Sequence, residues 1–159
     1  MSVSGGIDSA VTYALMIEAS KKANSPIKKT VGIAQPIHST ASVWKRAYEL
    51  LPLGGTIITV DQTKLYDDLS ATVQKAAGLK GGSFADGQLR SYMRTPVNYY
   101  VAQLLSANGN LSIVLGTGNY DEDGYLRYFC KVWETKTTKN WRIARFTIIR
   151  PETELWMCS

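Results

Sequence analysis

The chain is poor in the residues from which most catalytic and metal machinery is built. One histidine, His38, and two cysteines, Cys130 and Cys158, stand among 159 residues. Those numbers exclude a histidine-cluster mechanism, a four-thiolate metal site and a disulfide framework. Only 19% of the residues are charged, yet no apolar run is long enough to cross a bilayer, which argues against a membrane-spanning protein. Met1-Ser2-Val3 runs straight into glycines and leaves no room for a secretory leader, so the expected location is the cytoplasm. Glycine is itself missing from Val132 onward, although 13 precede that point, and three of the four tryptophans lie beyond it.

What remains suits a single α/β domain. Hydrophobic residues make up 45% of the chain, enough for a core at this length. Eighteen basic residues against 13 acidic ones give a formal charge of +5, which suits anionic ligands such as nucleotides but is too mild to indicate nucleic acid. Short β-rich runs alternate with helical patterns, the signature of a doubly wound parallel sheet of Rossmann-like type. Helices are predicted over 8–22, over 41–51 with a stop at Pro52, over 63–77 with a stop at Gly78, and over 88–107, bent or restarted at Pro96. In the first of these, Ala10, Val11, Ala14, Leu15, Ile17 and Ala19 form the expected buried stripe. Strands are predicted over 30–34, 56–60 and 111–115.

Chemistry concentrates at Ser4-Gly5-Gly6-Ile7-Asp8-Ser9, between a would-be strand and the first helix. Two glycines let the backbone turn tightly, and a helix start supplies unpaired N–H groups and a positive dipole end; together they make a phosphate cradle. The loop lacks the Lys-Ser/Thr ending of a Walker sequence, so Ser4 and Ser9 are its hydroxyl donors and Asp8 a candidate ligand for Mg2+. The plain alternative is a diglycine turn with a simple helix cap. A second patch, Gly116-Thr117-Gly118-Asn119-Tyr120-Asp121-Glu122, follows a buried strand, where open α/β sheets bind ligands. Both patches should open onto one crevice, with Asp8 and Glu122 as oxygen ligands from opposite sides and Thr117 as a hydroxyl donor. For Asp121, Glu122 and Asp123 a solvated acidic turn is the competing description.

The hexapeptide resembles the PP-loop of the ATP pyrophosphatases. The run from Gly87 to Lys131, with Arg94, Gly116-Thr117-Gly118-Asn119, Asp121-Glu122 and Gly124-Tyr125, is similar to the NAD synthetase branch. The resemblance covers residues 1–131 and implies ATP-dependent activation of the nicotinate carboxylate of deamido-NAD, release of pyrophosphate, and displacement of AMP by ammonia. It further implies that Ser4, Gly5, Gly6 and Ser9 hold the departing pyrophosphate, Asp8 and Glu122 the magnesium, and Thr117 the phosphate side of ATP. By the same likeness Arg94 faces nucleotide and Ala34-Gln35 receives adenine. Ammonia arrives free or from glutamine, and a homodimer is common in that family. His38 reads as a surface or strand-end residue; Cys130 is the one feature that would suit a sulfur-transferring relative.

The match departs at both ends. Only three residues precede the loop, so the first strand of the sheet is expected to be incomplete. Tyr92 stands where the family has the first arginine of its Ala-Arg-x-Arg segment. After Lys131 the family's Gly-Asp-Gly loop and lysine-bearing helix are not found, and residues 132–159 form a tail unrelated to the pattern. Codon degeneracy permits Val132 to Arg150 to be a retained intron followed by a shifted frame. An ordinary amphipathic strand over 142–150 is the competing description. Two other functions therefore stand beside the ligase: a non-catalytic nucleotide-binding remnant, or another PP-loop enzyme that forms GMP or sulfurates tRNA.

Overall fold

The computed structural model describes residues 1–117 and the backbone strand Phe146–Ile149. Its elements run α1 (Ile7–Lys21), β1 (Val31–Ala34), α2 (Ala41–Lys45), a 3-10 segment (Arg46–Leu53), β2 (Thr56–Thr59), α3 (Thr63–Ala77), α4 (Ser83–Ala107), β3 (Ser112–Leu115) and β4 (Phe146–Ile149). β1 and β2 pair in parallel, with Val31 opposite Thr56 and Ala34 opposite Thr59. Met1 to Val3 add a short parallel rung on the other side of β1: Ile33 N donates to Met1 O at 2.8 Å and Val3 N to Ile33 O at 2.9 Å. The α/β parallel sheet and its incomplete first strand are thus present as the pattern predicts. β3 pairs antiparallel with β4, Ser112 opposite Ile149 and Leu115 opposite Phe146, and Phe146–Ile149 falls inside the alternating 142–150 stretch.

The core lies between the first residues, β1 and α1. Met1, Val3, Tyr13, Ile17, Ala34, Ala47 and Ile57 form one buried cluster, and Leu115 of β3 packs against it. Sequence reading misplaced the buried line of α1. Val11 and Leu15 are 49% and 64% exposed, while Ser9, Tyr13 and Ile17 point inward. A helix that is apolar nearly all round carries no periodicity to choose a face. Tyr13 decides it, because its hydroxyl donates to Gly54 O at 2.8 Å and its ring fills the core without any exposure. Burial accordingly raises the Tyr13 pKa.

Two other helices differ from expectation. The predicted helix over 41–51 is α-helical for only five residues and then tightens to a 3-10 segment that contains Pro52; proline cannot donate the bond that would continue the α-helix. α4 begins five residues early and does not restart at Pro96 but continues past it as one helix. Anchors on both sides hold it there: Met93 packs with Ile37 and Tyr66, and Asn98 bonds to Ser2. Gly78, in the left-handed conformation with φ 65°, ends α3 as predicted.

Candidate functional site

Val3, tied to β1, fixes the point at which the chain leaves the sheet and enters the glycine loop. Gly5 has φ +81°, and a Cβ built on it would stand 2.3 Å from the Val43 carbonyl oxygen, so no other residue fits there. Ser9 is buried and braces the turn from inside. Its hydroxyl donates to Gly6 O at 2.9 Å and accepts from Ser4 N at 3.2 Å. Ser4 Oγ lies 3.2 Å from Ser9 Oγ and accepts from Gly6 N at 3.3 Å, with Ser4 itself exposed. The two serines that sequence reading treated alike therefore differ: Ser9 shapes the loop and Ser4 faces solvent.

The loop delivers the chain into α1 with Gly6 as the N-cap and no side chain bonded to the helix start. Its first-turn amides and dipole end are left for an external anion. Asp8 lies in that turn, exposed; its backbone carbonyl accepts from Thr12 Oγ1 at 2.8 Å, while its carboxylate makes no hydrogen bond or ion pair with the described residues. An exposed carboxylate next to a phosphate cradle suits Mg2+, which takes one or two carboxylates and completes its shell with phosphate oxygens and water. Among the described residues no three His, Cys, Asp or Glu side chains cluster as a metal site.

The next loops of the sheet bring Ala34, Gln35 and the residues behind them to the same edge. Ala34 is buried and its carbonyl accepts from Val60 N at 2.9 Å. Gln35, 5% exposed, is committed to the interior. Its Nε2 donates to Ser2 Oγ at 2.7 Å and Asn98 Oδ1 at 2.9 Å, and its Oε1 accepts from Gln62 Nε2 at 2.6 Å. Asn98 Nδ2 in turn donates to Ser2 Oγ at 2.9 Å. At the strand end expected to receive adenine, the Gln35 side chain is thus the centre of a partly buried amide network. Ser2, Gln62 and Asn98 carry no motif, and only their convergence in space marks them.

Arg94 is partly buried on α4, one turn before Asn98. Burial lowers its pKa, with the like charge of Arg90 adding to the effect, and none of the described carboxylates pairs with it. A partly buried guanidinium with no ion pair among the described residues has its charge open to an anion. Arg90, one turn earlier, lies over the Tyr66 ring at 5.3 Å. His38 is exposed, four residues beyond the end of β1, its ring nitrogen 2.7 Å from Asp67 and its ring edge-on to Tyr66. Thr117 is partly buried two residues after β3. Glu122, Asp121 and Cys130 lie outside the described residues, as do Trp133, Trp141 and Trp156. Among the described residues no helix is long and apolar enough to cross a membrane.

A family model for NAD synthase matches residues 1–134. Among solved structures, an NMN synthetase from Francisella tularensis is similar, with a TM-score of 0.64 and 26% identity over 82% of this chain and 48% of that one. An NAD+ synthetase from Burkholderia pseudomallei is also similar, at 0.59 and 25% identity over 77% of this chain and 45% of that one. The chain therefore spans just under half the length of each. No curated protein sequence matches.

Proposed function

The chain belongs to the NAD synthase family, and from that premise we propose that it forms the ATP-binding part of an amide-forming ligase that converts deamido-NAD to NAD. In this reading a carboxylate oxygen of deamido-NAD attacks the α-phosphorus of ATP. The bond to the bridging oxygen breaks, and pyrophosphate leaves with the electron pair. Ammonia, free or derived from glutamine, then forms the new C–N bond on the acyl adenylate and expels AMP.

The observation that carries the proposal is the glycine-hinged, uncapped start of α1 at the end of the first strand, with the exposed Asp8 carboxylate beside it unbonded to any described residue. Negative charge grows on the departing pyrophosphate, so fixed N–H donors there favour the transition state over bound ATP. Gly5, Gly6 and the first turn of α1 receive that charge, Ser4 adds an exposed hydroxyl, and Ser9 keeps the loop in shape. Arg94 and Thr117 approach the phosphates from the other side, and Ala34-Gln35 border the adenine end by backbone, since the Gln35 amide is spent below. Asp8 with Glu122 would hold Mg2+, which supplies charge neutralisation at the phosphate oxygens. No side-chain nucleophile is needed, in keeping with a chain that has one histidine. A homodimer remains part of the proposal.

Likeness to an NMN synthetase favours a second reading, in which the acid is nicotinate mononucleotide and the product NMN. The two share the adenylation step and therefore the loop. Pyrophosphate release should be measured with ATP, Mg2+ and ammonium, supplying deamido-NAD or nicotinate mononucleotide in turn; the acid that stimulates release names the product. Release that needs xanthylate or tRNA instead would overturn both readings, and ATP binding without release would assign the chain to binding alone.

A further inference from the structure

We infer that Asn98 is a positioning residue that holds the Arg94 turn of α4 against the strand feeding the phosphate loop; its effect on ligand rests on the nucleotide reading above. α4 has a weak point at this turn. Pro96 has no N–H to give the Tyr92 carbonyl, so the turn containing Arg94 lacks one of its backbone bonds. Local helix structure therefore fixes Arg94 less firmly than an unbroken helix would.

Two tertiary anchors flank that point. On one side Met93 is buried with Ile37 and Tyr66. On the other, Asn98 reaches Ser2, 96 positions away in sequence, with Oδ1 at 3.1 Å and Nδ2 at 2.9 Å from the serine hydroxyl. Gln35 donates to both partners, and Gln62, 1% exposed at the start of α3, donates to Gln35. One amide chain thus ties α4 to the first strand, the end of β1 and the start of α3. In a network that is buried where Gln62 meets Gln35 and partly buried at Ser2 and Asn98, a shift of one member leaves a donor or acceptor short of its partner. Ser2 lies two residues before Ser4, so the same contact sets the helix bearing Arg94 and the strand bearing the loop in fixed relation.

The test uses the full 159-residue chain labelled with 15N-arginine, comparing Asn98→Leu and Ser2→Ala, which cut the contact from opposite sides. Exchange of the Arg94 Nε–H with water should speed up about tenfold in both variants, with Arg46 unchanged. Equal loosening of Arg46 would mean general loss of structure and would overturn the inference, as would an Arg94 signal indifferent to both variants. Titration with Mg·ATP gives the second readout: Asn98→Leu and Arg94→Ala should each weaken binding about tenfold and the double variant no further. Fully additive losses would overturn the coupling. If the parent chain binds no ATP while Arg94 exchange still depends on Asn98, the nucleotide reading fails and the positioning role stands.

Discussion

Two helices of this molecule start at the same kind of place and are finished in opposite ways. α1 follows the first strand of the parallel sheet and α3 follows β2. Neither start is capped by the side chain of its own N-cap residue, Gly6 or Gln62, but at α3 the Asp61 carboxylate accepts from the first helical amide, Thr63 N, at 2.8 Å, and that bond leads the causes that hold the Asp61 pKa below its ordinary value. The start of α1 has glycine as its cap; Ser4 and Ser9 bond to that glycine's own backbone, and no side chain bonds to the first helical amides among the described residues. A capped start has satisfied its own dipole, whereas an open one retains attraction for an anion from outside. Position in an α/β sheet makes both ends candidates for a ligand, and the difference in capping selects one.

The most damaging way to break that contrast is Gly5→Ala. A side chain at φ +81° and 2.3 Å from a backbone oxygen must displace the loop or the Val43 segment, at a cost of about 3 kcal/mol. Thermal unfolding should show the loss, and Mg·ATP affinity should fall about 100-fold. Asp8→Ala comes next: pyrophosphate release should drop about 100-fold, while the melting temperature moves little because the exposed carboxylate makes no hydrogen bond or ion pair with the described residues.

A third effect tests the short strand that presents the loop. The Met1 ammonium donates to Val31 O at 2.9 Å from a buried position, and burial lowers its pKa from 8.0 to about 6. A base whose folded pKa lies below its unfolded one disfavours folding once the unfolded chain takes up the proton. Stability should therefore be complete above pH 8 and decline as the pH falls from 8 to 6, by about 2 kcal/mol. Denaturant midpoints across that range would measure it, and acetylation of the amino group should flatten the curve. The smallest effect is Asp61→Ala, which should lower the melting temperature by about 3 °C and leave Mg·ATP affinity as it was. Its folded pKa is depressed, so its contribution is present above pH 3.8 and lost as pH falls through the lower folded value.

Local signals in the sequence carried the element order, the glycine loop and the Gly78 stop, since each depends on residues close together in the chain. The buried face of α1 was hidden because its apolar residues surround the helix. The passage of α4 through Pro96 was hidden because contacts from Ile37, Tyr66 and Ser2 hold the helix there. Of the candidate site, the turn at Gly5 and the place of Asp8 in the first turn of α1 were legible from type and spacing. The division of labour between Ser4 and Ser9 was not, nor was the commitment of Gln35 to the interior. Both depend on which neighbour a hydroxyl or amide meets in three dimensions, and Asn98 has no local pattern that announces it.

The claim that the open start of α1, and not the closed start of α3, receives the departing anion is tested most directly by adding inorganic pyrophosphate with Mg2+ to the 15N-labelled chain and following backbone amides. The account predicts saturable shifts at Gly5, Gly6, Ile7 and Asp8, with Thr63 and Lys64 still. Shifts at Thr63 and Lys64 with a silent glycine loop would contradict it.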